Sequence, residues 1–331
     1  MNLKSEKFCI RDFLIKNSVF IVLIVMIIIS SSVSPFFFSK RNIFNIFRQY
    51  SPLMVVVVGM LYVLVSGGID LSVGAVVSFG GIMTALTMDS WRIGQNNAWG
   101  LAVAILIVVG ASMLFGVFNG FMVAHFKMKS FIVTLASSMI IVGCNLLMSG
   151  GHPWKIPAGP GKSAAGSALQ EFGIGTVPLL GVPWPILVAV IIILVFAWIL
   201  NFTGYGRLII ATGSNSDAVK LAGQNLKFYQ MTPFVIVSGL SGLAGAMLAA
   251  RATVATAGAG DVYTLDAIAG CVIGGASLDG GRGSVIKAIV GVMIIALIAN
   301  ILSLLSVPPY PQQVLKGFII IVAVLVQVIR Q

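Results

Sequence analysis

Residues 66–74 read SGGIDLSVG and separate two apolar runs, 52–65 and 73–88, each long enough to cross much of a lipid bilayer. Glycine lowers helix propensity by about 1 kcal/mol relative to alanine, and a carboxylate at mid-membrane costs about 2.5–3.5 kcal/mol on insertion scales. Such a stretch is typical of a backbone break where polar groups meet water or a polar ligand. Two interpretations of Asp70 stay open: it only caps the next helix, or it caps that helix and also borders a polar pathway.

The composition indicates a membrane protein. The 331 residues are 58% hydrophobic and only 9% charged, whereas soluble domains carry about 25% charged residues. The apolar windows do not alternate as the strands of an outer-membrane barrel do. The net charge of +11 would suggest nucleic-acid binding in a soluble protein, but here the basic residues lie between apolar runs. The sequence therefore predicts an all-α polytopic membrane protein that binds no nucleic acid.

Ten apolar segments are predicted to be transmembrane helices, and sixteen to twenty helical residues span roughly 24–30 Å. We expect a single transmembrane domain over 1–331, with a first half at 18–149 and a second half at 183–331. The long connection 150–182 is predicted to be an ordered extracytoplasmic loop, because its glycines and prolines favour turns. The ten segments are 18–36, 51–66, 71–88, 98–124, 130–149, 183–201, 233–250, 264–279, 284–306 and 312–329.

Basic residues predict that both termini are cytoplasmic. Seven of the twenty basic residues fall in the extracytoplasmic connections of this topology, and Lys316 lies in the last apolar segment. Among the seven, the residues at 40, 41 and 48 weaken the prediction, because they cluster between the first two segments. The first apolar run has basic residues before it and no small-residue cleavage site after it, so it is predicted to be a retained anchor. The twelve inside residues are Lys4, Lys7, Arg11, Lys16, Lys127, Lys129, Arg207, Lys220, Lys227, Arg282, Lys287 and Arg330.

The connection 202–232 falls on the cytoplasmic side and differs from the other loops. Its residues 214–216 (SNS) can cap a short helix over 217–222, which Gly223 then ends. A short, capped, amphipathic helix in a cytoplasmic loop is a natural docking element for a soluble partner.

A short internal similarity indicates two inverted halves. Residues 69–74 (IDLSVG) have a counterpart in 265–270 (LDAIAG), and a Gly-Gly pair follows in each half. The predicted topology puts Asp70 toward the inside and Asp266 toward the outside, as an inverted repeat of five plus five helices would. Chance similarity stays open. Asp266 is expected either to cap a helix over 267–276 and face a vestibule, or only to take part in helix packing.

Three amides, Asn119, Asn145 and Asn300, lie within apolar segments. Each is expected to bond a neighbouring helix or a polar substrate, and both interpretations stay open. The GxxxG at 116–120 is predicted to be a helix-packing face.

The chain shows no combination of residues that could carry covalent chemistry. Residues 161–163 (GKS) resemble the end of a phosphate-binding loop, but the required earlier glycine is replaced by Ile156. No nucleophile, base and carboxylate can be combined, and Cys9, Cys144 and Cys271 are too far apart in sequence to indicate a metal site. We therefore expect no catalytic residue, no metal and no cofactor in this chain.

Four motifs occur in an order that resembles the ribose-type permease family, the membrane subunits of bacterial ABC sugar importers. They are residues 66–74, 128–135 (MKSFIVTL), the loop 203–223 that begins TGYGR, and 265–283, which runs from LDAIA to GGRG. The resemblance covers the chain from about residue 40 to its end. Relatives in this family carry ribose, galactose, xylose, arabinose, furanose sugars or autoinducer-2.

The resemblance implies a ten-helix permease similar to the vitamin-B12-type (type II) importer fold in the bacterial inner membrane. It implies a homodimer or heterodimer, a cytoplasmic ATPase that carries ATP and Mg²⁺, and a periplasmic binding protein that delivers a monosaccharide or sugar-like solute. The family's ATPase-coupling pattern matches Gly213, Asn215, Ala218, Leu221 and Gly223. Ser214 and Ala222-Gly223-Gln224-Asn225 depart mildly from that pattern.

A sugar needs hydrogen-bonding groups and few charges along its path. The candidates for that path or its gate are Asp70, Ser72, Asn119, Asn145, Asp266 and Asn300. A carrier driven by protons or sodium would also show inverted repeats and intramembrane carboxylates, and it stays the main alternative. The capped cytoplasmic loop and dependence on a separate ATPase distinguish the importer from it.

Overall fold

The computed structural model describes residues 17–159, 161–308, 310–315, 317, 318, 321 and 325. Most of the tenth predicted segment, Cys9, the basic residues before position 17, Lys316 and Arg330 lie outside the described residues. The described helices are α1 (Ser18–Val33), α2 (Lys40–Val65), α3 (Val73–Asp89), α4 (Gly100–Phe126), α5 (Ser130–Ser149), α6 (Ala164–Ile174), α7 (Trp184–Phe202), α8 (Gly204–Ser214), α9 (Ser216–Leu221), α10 (Leu226–Ala252), α11 (Asp261–Ile273) and α12 (Val285–Leu304). Residues 310–315 are also helical.

The chain is an all-α polytopic membrane protein. Among the described residues, six helices are long and apolar enough to cross a membrane, namely α2, α4, α5, α7, α10 and α12, and α1 and α3 are shorter apolar helices. The predicted segment 130–149 coincides with α5. Segments 183–201 and 284–306 agree with α7 and α12 to within two residues.

Two predicted segments were too short. The helix predicted over 51–66 begins at Lys40, because the Ser39 side chain accepts a hydrogen bond from the Asn42 backbone N–H and caps it there. Lys40, Arg41 and Arg48, which the prediction placed in the connection before this helix, therefore lie within α2. The helix predicted over 233–250 begins at Leu226, where the Asn225 side chain accepts from the Phe228 N–H, and Pro233 lies inside the helix.

Helix α11 corrects the prediction for the eighth segment. It has 13 residues, from Asp261 to Ile273, where 264–279 was predicted. Gly260 is its N-cap, and the chain leaves the helix at Gly274 and Gly275, the latter with φ +84°. Asp266 thus lies in the second turn and does not cap the helix. Asp70, in contrast, lies before the first residue of α3. The IDLSVG and LDAIAG stretches therefore do not occupy matching positions in the two helices.

The core is built around α2 and α10. In the most apolar stretch of α2, 89% of the residues are buried, and in that of α10 the share is 78%. The corresponding shares are only 22% in α4 and 17% in α7. Helix α10 packs on α3 and α4 from the first half, whereas α2 packs on α7, α11 and α12 from the second half. Apolar side chains on α4, α5 and α7 remain exposed, as expected of surfaces that face lipid.

Helices α3 and α10 cross without intervening side chains. A Cβ at Gly80 would contact the Gly242 carbonyl, and one at Gly245 would contact the Val77 carbonyl. Gly116 and Gly120 of α4 likewise lie against the α10 backbone at Phe234 and Met231. The GxxxG prediction is confirmed, since small residues let these membrane helices approach closely.

The long connection after α5 is structured. It holds α6, whose N-cap Ser163 accepts a hydrogen bond from the Gly166 N–H, and strand β1 (Trp154–Lys155). Strand β1 pairs antiparallel with β2 (Val254–Ala255), which follows α10. Helix α6 also packs on α10 and α4, so this connection covers one end of the central helices.

Candidate functional site

The chain between α2 and α3 is non-helical and lies against α5, with Gly68, Asp70 and Ser72 buried and Gly67 exposed. Gly67 has φ +86°, which suits glycine, and turns the chain away from the end of α2. The Ile69 N–H donates to Ser130 Oγ at 3.0 Å, and the Leu71 N–H donates to Thr134 Oγ1 at 2.9 Å. Because unpaired backbone groups are costly in a membrane, these hydroxyls, one turn apart on α5, stabilise the break.

Asp70 lies at the centre of this break and is fully buried. Its Oδ1 accepts hydrogen bonds from the Ser72 N–H at 2.8 Å and the Ser72 hydroxyl at 2.6 Å. Ser72 is the N-cap of α3 but makes no side-chain cap bond, so Asp70 holds the chain just before the helix. Among the described residues, Oδ2 of Asp70 has no hydrogen-bond partner.

Two predicted amides reach the same region. Asn119 Nδ2 donates to Ser72 Oγ at 3.0 Å, which extends a buried chain of polar groups from Asp70 to α4. Asn145 Nδ2 donates to the Ala75 carbonyl at 3.0 Å, in the first turn of α3. Both amide oxygens are buried and lack a partner within the described part of the chain. The structure therefore brings four of the six predicted path residues together around one helix break.

The other two predicted path residues lie elsewhere. Asp266 is buried in α11. Asn300, near the end of α12, exchanges hydrogen bonds of 2.9 and 3.2 Å with Asn42 of α2. The Asn300 amide thus bonds another helix.

Helices α8 and α9 form the predicted coupling loop. The Asn215 side chain accepts from the Ala218 N–H at 3.0 Å and begins α9 (Ser216–Leu221), one residue before the predicted start. Gly223 follows with φ +72°. Val219 is buried, whereas the Leu221 side chain is 88% exposed. Helix α9 thus packs against the protein through Val219 and exposes the apolar side chain of Leu221.

An aromatic cluster fixes this loop to α10. The Tyr205 hydroxyl hydrogen-bonds the Thr232 hydroxyl at 2.6 Å, and its ring contacts those of Phe228 and Tyr229. Burial raises the pKa of Tyr205 to about 12, so its hydroxyl stays protonated at alkaline pH values where a solvent-exposed tyrosine ionises.

The far end of α8 contacts the break directly through a group we term the glycine junction: Val65, Gly67, Gly213, Gly280 and Gly281. The Gly281 N–H donates to the Val65 carbonyl at 2.9 Å. A Cβ at Gly213 would overlap that carbonyl, and one at Gly280 would lie 2.9 Å from Gly67 Cα. The backbone of the predicted coupling loop thus touches the end of α2, where the break starts.

Sequence reasoning overlooked Ser130 and Thr134 as site residues, although both lie in the quoted MKSFIVTL stretch. The signal was present: two hydroxyl residues four apart, on one face of an otherwise apolar helix. The glycine junction gave no such signal, because its members come from three distant segments.

The described residues contain no group of three or more His, Cys, Asp or Glu side chains that could hold a metal ion. What the site offers is hydrogen-bonding groups with few charges. Such groups suit contact with a polar solute, whereas no arrangement for covalent catalysis is present among the described residues.

Residues 42–324 match the family described as the permease component of the branched-chain amino acid transport system. Ribose import permease protein RbsC of Haemophilus influenzae is 38% identical over 325 residues, which cover 98% of this chain and 97% of that relative. The chain belongs to the ribose-type permease family. RbsC of Escherichia coli K12 is 34% identical over 97% of this chain and 96% of its own length. Xylose transport system permease protein XylH of Haemophilus influenzae is 32% identical over 92% and 93%.

No solved structure matches the chain. Its family makes it the membrane-spanning subunit of an ABC importer and a multi-pass protein of the bacterial inner membrane. Such a permease works with an ATPase and a periplasmic binding protein, and ATP hydrolysis belongs to the separate ATPase chains.

Proposed function

We propose that this permease imports a monosaccharide or sugar-like solute that a periplasmic binding protein delivers. The observation that carries the proposal is the near-full-length similarity to permeases named for ribose and xylose import. The chemistry of the break agrees with a neutral, hydroxyl-rich solute, since it combines one carboxylate with hydroxyls and amides.

We also propose ten transmembrane helices in two inverted halves, 18–149 and 183–331, similar to the type II importer fold. The arrangement of the long helices supports this, because each half holds one long, buried helix followed by a break and a shorter helix. These are α2 and α3 in the first half, α10 and α11 in the second. Helix α2 packs on helices of the second half and α10 packs on helices of the first half, as expected if the two halves are related by pseudo-symmetry.

The path or gate is proposed to involve Asp70, Ser72, Asn119, Asn145, Asp266 and Asn300. Support is uneven among them. The first four share one buried polar region, so they are the strongest candidates. Asn300 is the weakest, since its amide is occupied by Asn42.

The coupling role is assigned to the segment 202–232, with Gly213, Asn215, Ala218, Leu221 and Gly223. Movement of the ATPase subunits would displace α9, and the glycine junction would pass that displacement to the end of α2. Rigid helices in direct backbone contact can transmit such a shift because neither side chain rotation nor compressible packing intervenes. A dimer of permeases, with two copies or a paralogue, would complete the importer.

The test is purification of the tagged permease from native membranes, followed by reconstitution with whatever ATPase and binding protein accompany it. We expect ATP-dependent uptake of radiolabelled ribose or xylose into proteoliposomes that requires the binding protein. Purification without an ATPase, together with uptake driven by a proton or sodium gradient, would replace the importer with a secondary carrier.

A further inference from the structure

A cavity of about 270 Å³, open on one side where Asp261 is exposed, lies between the first turn of α3, the middle of α5 and the start of α11. Its apolar walls come from Leu71 in the break, from α3 and from α5, and its polar lining comes from Ser138, Asp261 and Thr264. None of these three belongs to the predicted path residues. Ala75, which lines the cavity, accepts the hydrogen bond of the Asn145 side chain through its carbonyl.

The cavity forms where the helices that follow the two breaks meet. The Gly74 N–H in α3 donates to Thr264 Oγ1 in α11 at 2.9 Å, and the Gly260 N–H donates to Ser78 Oγ in α3 at 2.9 Å. A Cβ at Gly260 would contact the Gly74 carbonyl, so the two backbones touch. Any change in the angle between α3 and α11 therefore changes the shape of this cavity.

Helix α5 supplies the third wall through a regular row of hydroxyls. Ser130 and Thr134 bond the N–H groups of the break, and Ser138 is the next residue on the same face, four positions further. It lines the cavity instead of holding the backbone. Thr264 Oγ1 already accepts from Gly74, so its hydroxyl hydrogen remains to donate.

The chemistry of the lining selects among ligands. Pockets for drug-sized ligands measure about 300–1,000 Å³, so this cavity suits a smaller solute. Two hydroxyls and one carboxylate offer donors and acceptors with a single charge, which fits the hydroxyl groups of a neutral sugar. A phosphorylated or anionic solute would meet Asp261 without a compensating cation in the lining.

We propose that this cavity is a sugar-binding station on the translocation path, with Ser138, Thr264 and Asp261 as its hydrogen-bonding residues. The inference rests on the proposed function and adds the residues that contact the solute. Tilting of α3 against α11 would open or close the station.

The first test compares Ser138→Leu, which fills the cavity, with Ala136→Leu, which adds the same bulk at an exposed position on α5. Both are measured for ATP-dependent ribose and xylose uptake and for ATP hydrolysis stimulated by the binding protein. We expect Ser138→Leu to lose at least about tenfold in uptake, in line with the cost of lost buried hydrogen bonds, while its stimulated hydrolysis stays near wild type. Ala136→Leu should retain both activities.

The second test concerns charge. Asp261→Asn keeps a hydrogen-bonding oxygen but loses the charge. We expect it to reduce uptake measurably, by a factor of up to about ten. Its control is Glu171→Gln, which changes an exposed carboxylate of α6 to the matching amide and should leave uptake unchanged. Uptake of Asp261→Asn equal to wild type over the whole range of sugar concentrations would remove Asp261 from the station.

Unchanged uptake in Ser138→Leu would overturn the station, while wild-type uptake in the same assay would leave the proposed function standing. If Ser138→Leu does not insert, Ser138→Cys in a background without the native cysteines replaces it. We expect this cysteine to react with a membrane-impermeant thiol reagent through the water in the station. Ala136→Cys should not react, because its exposed side of α5 faces lipid. This readout does not depend on which solute is carried, and an unreactive Ser138→Cys would overturn the station even if wild type imported no sugar.

Discussion

The carboxylate of Asp70 is bonded on one side only. One oxygen accepts two hydrogen bonds from Ser72, and the other has no partner among the described residues. A buried acceptor that organises the chain before a helix contributes to stability, because its removal leaves the donors unpaired. The unpartnered oxygen is the feature that a purely structural cap does not need, and it makes Asp70 a candidate for contact with water or solute.

Replacing Asp70 by leucine is expected to lower the free energy of unfolding by about 1–3 kcal/mol, because the Ser72 N–H and hydroxyl lose their acceptor. Asp70→Asn retains an acceptor oxygen and should lie closer to wild type. Thermal unfolding in detergent and sugar uptake measure the two effects. Asp70→Leu with wild-type stability and uptake would remove this residue from the site.

At the scale of elements, two short contacts connect the proposed coupling loop to the membrane helices. One is the aromatic cluster that holds α8 to α10, and the other is the glycine junction at the end of α2. The junction works only with glycine, because a side chain at Gly213 would overlap the Val65 carbonyl. We therefore expect small displacements of α8 to reach the break without being absorbed by flexible side chains.

Gly213→Ala is expected to separate ATP hydrolysis from transport, since the added methyl group must push α8 away from Val65. The matched control is Gly204→Ala at the start of α8, where a Cβ meets nothing within 4 Å. We expect fewer sugar molecules imported per ATP hydrolysed by Gly213→Ala, and an unchanged ratio for Gly204→Ala. Equal ratios in both variants would contradict transmission through the junction.

Gly223 calls for a different kind of variant, because a Cβ there meets nothing within 4 Å but its φ is +72°. A left-handed conformation costs most residues roughly 1–2 kcal/mol, and asparagine tolerates it better. Gly223→Leu should insert normally yet lower the ATP hydrolysis that the binding protein stimulates, while Gly223→Asn should largely retain it. Full stimulation in Gly223→Leu would show that the end of α9 does not transmit the signal.

The whole molecule is a helical bundle. Its inner helices, α2 and α10, are buried by their neighbours, and its outer helices, α4, α5 and α7, expose apolar faces. The coupling loop and the structured connection 150–182 each expose a large apolar side chain, Leu221 at 88% and Leu179 at 96%. If the chain has five plus five inverted helices, these two side chains lie on opposite sides of the membrane.

This orientation is testable with single cysteines at the two positions, in a background without the native ones. Leu221→Cys should react with an impermeant thiol reagent only in inside-out vesicles, and Leu179→Cys only in right-side-out vesicles. Labelling of both from the same side would contradict the two-sided arrangement, and the reverse pattern would place the termini outside.

The sequence alone determined the class of protein, the positions of most helices, the family and, to within one residue, the capped helix predicted over 217–222. These follow from local properties: long apolar runs, capping residues next to each helix start, and motifs contiguous along the chain. The early start of α2 at Lys40 was missed because its first turns carry polar residues, so hydropathy alone excluded them.

Only the tertiary structure decided which polar residues belong together. The Asp70, Ser72 and Asn119 chain, the α5 hydroxyls that hold the break, and the glycine junction join segments far apart in sequence. It also separated Asp266 from the capping role, because the start of α11 depends on how Gly260 packs against Gly74. Hydrogen bonding and close backbone packing depend on three-dimensional proximity, which a single sequence does not encode locally.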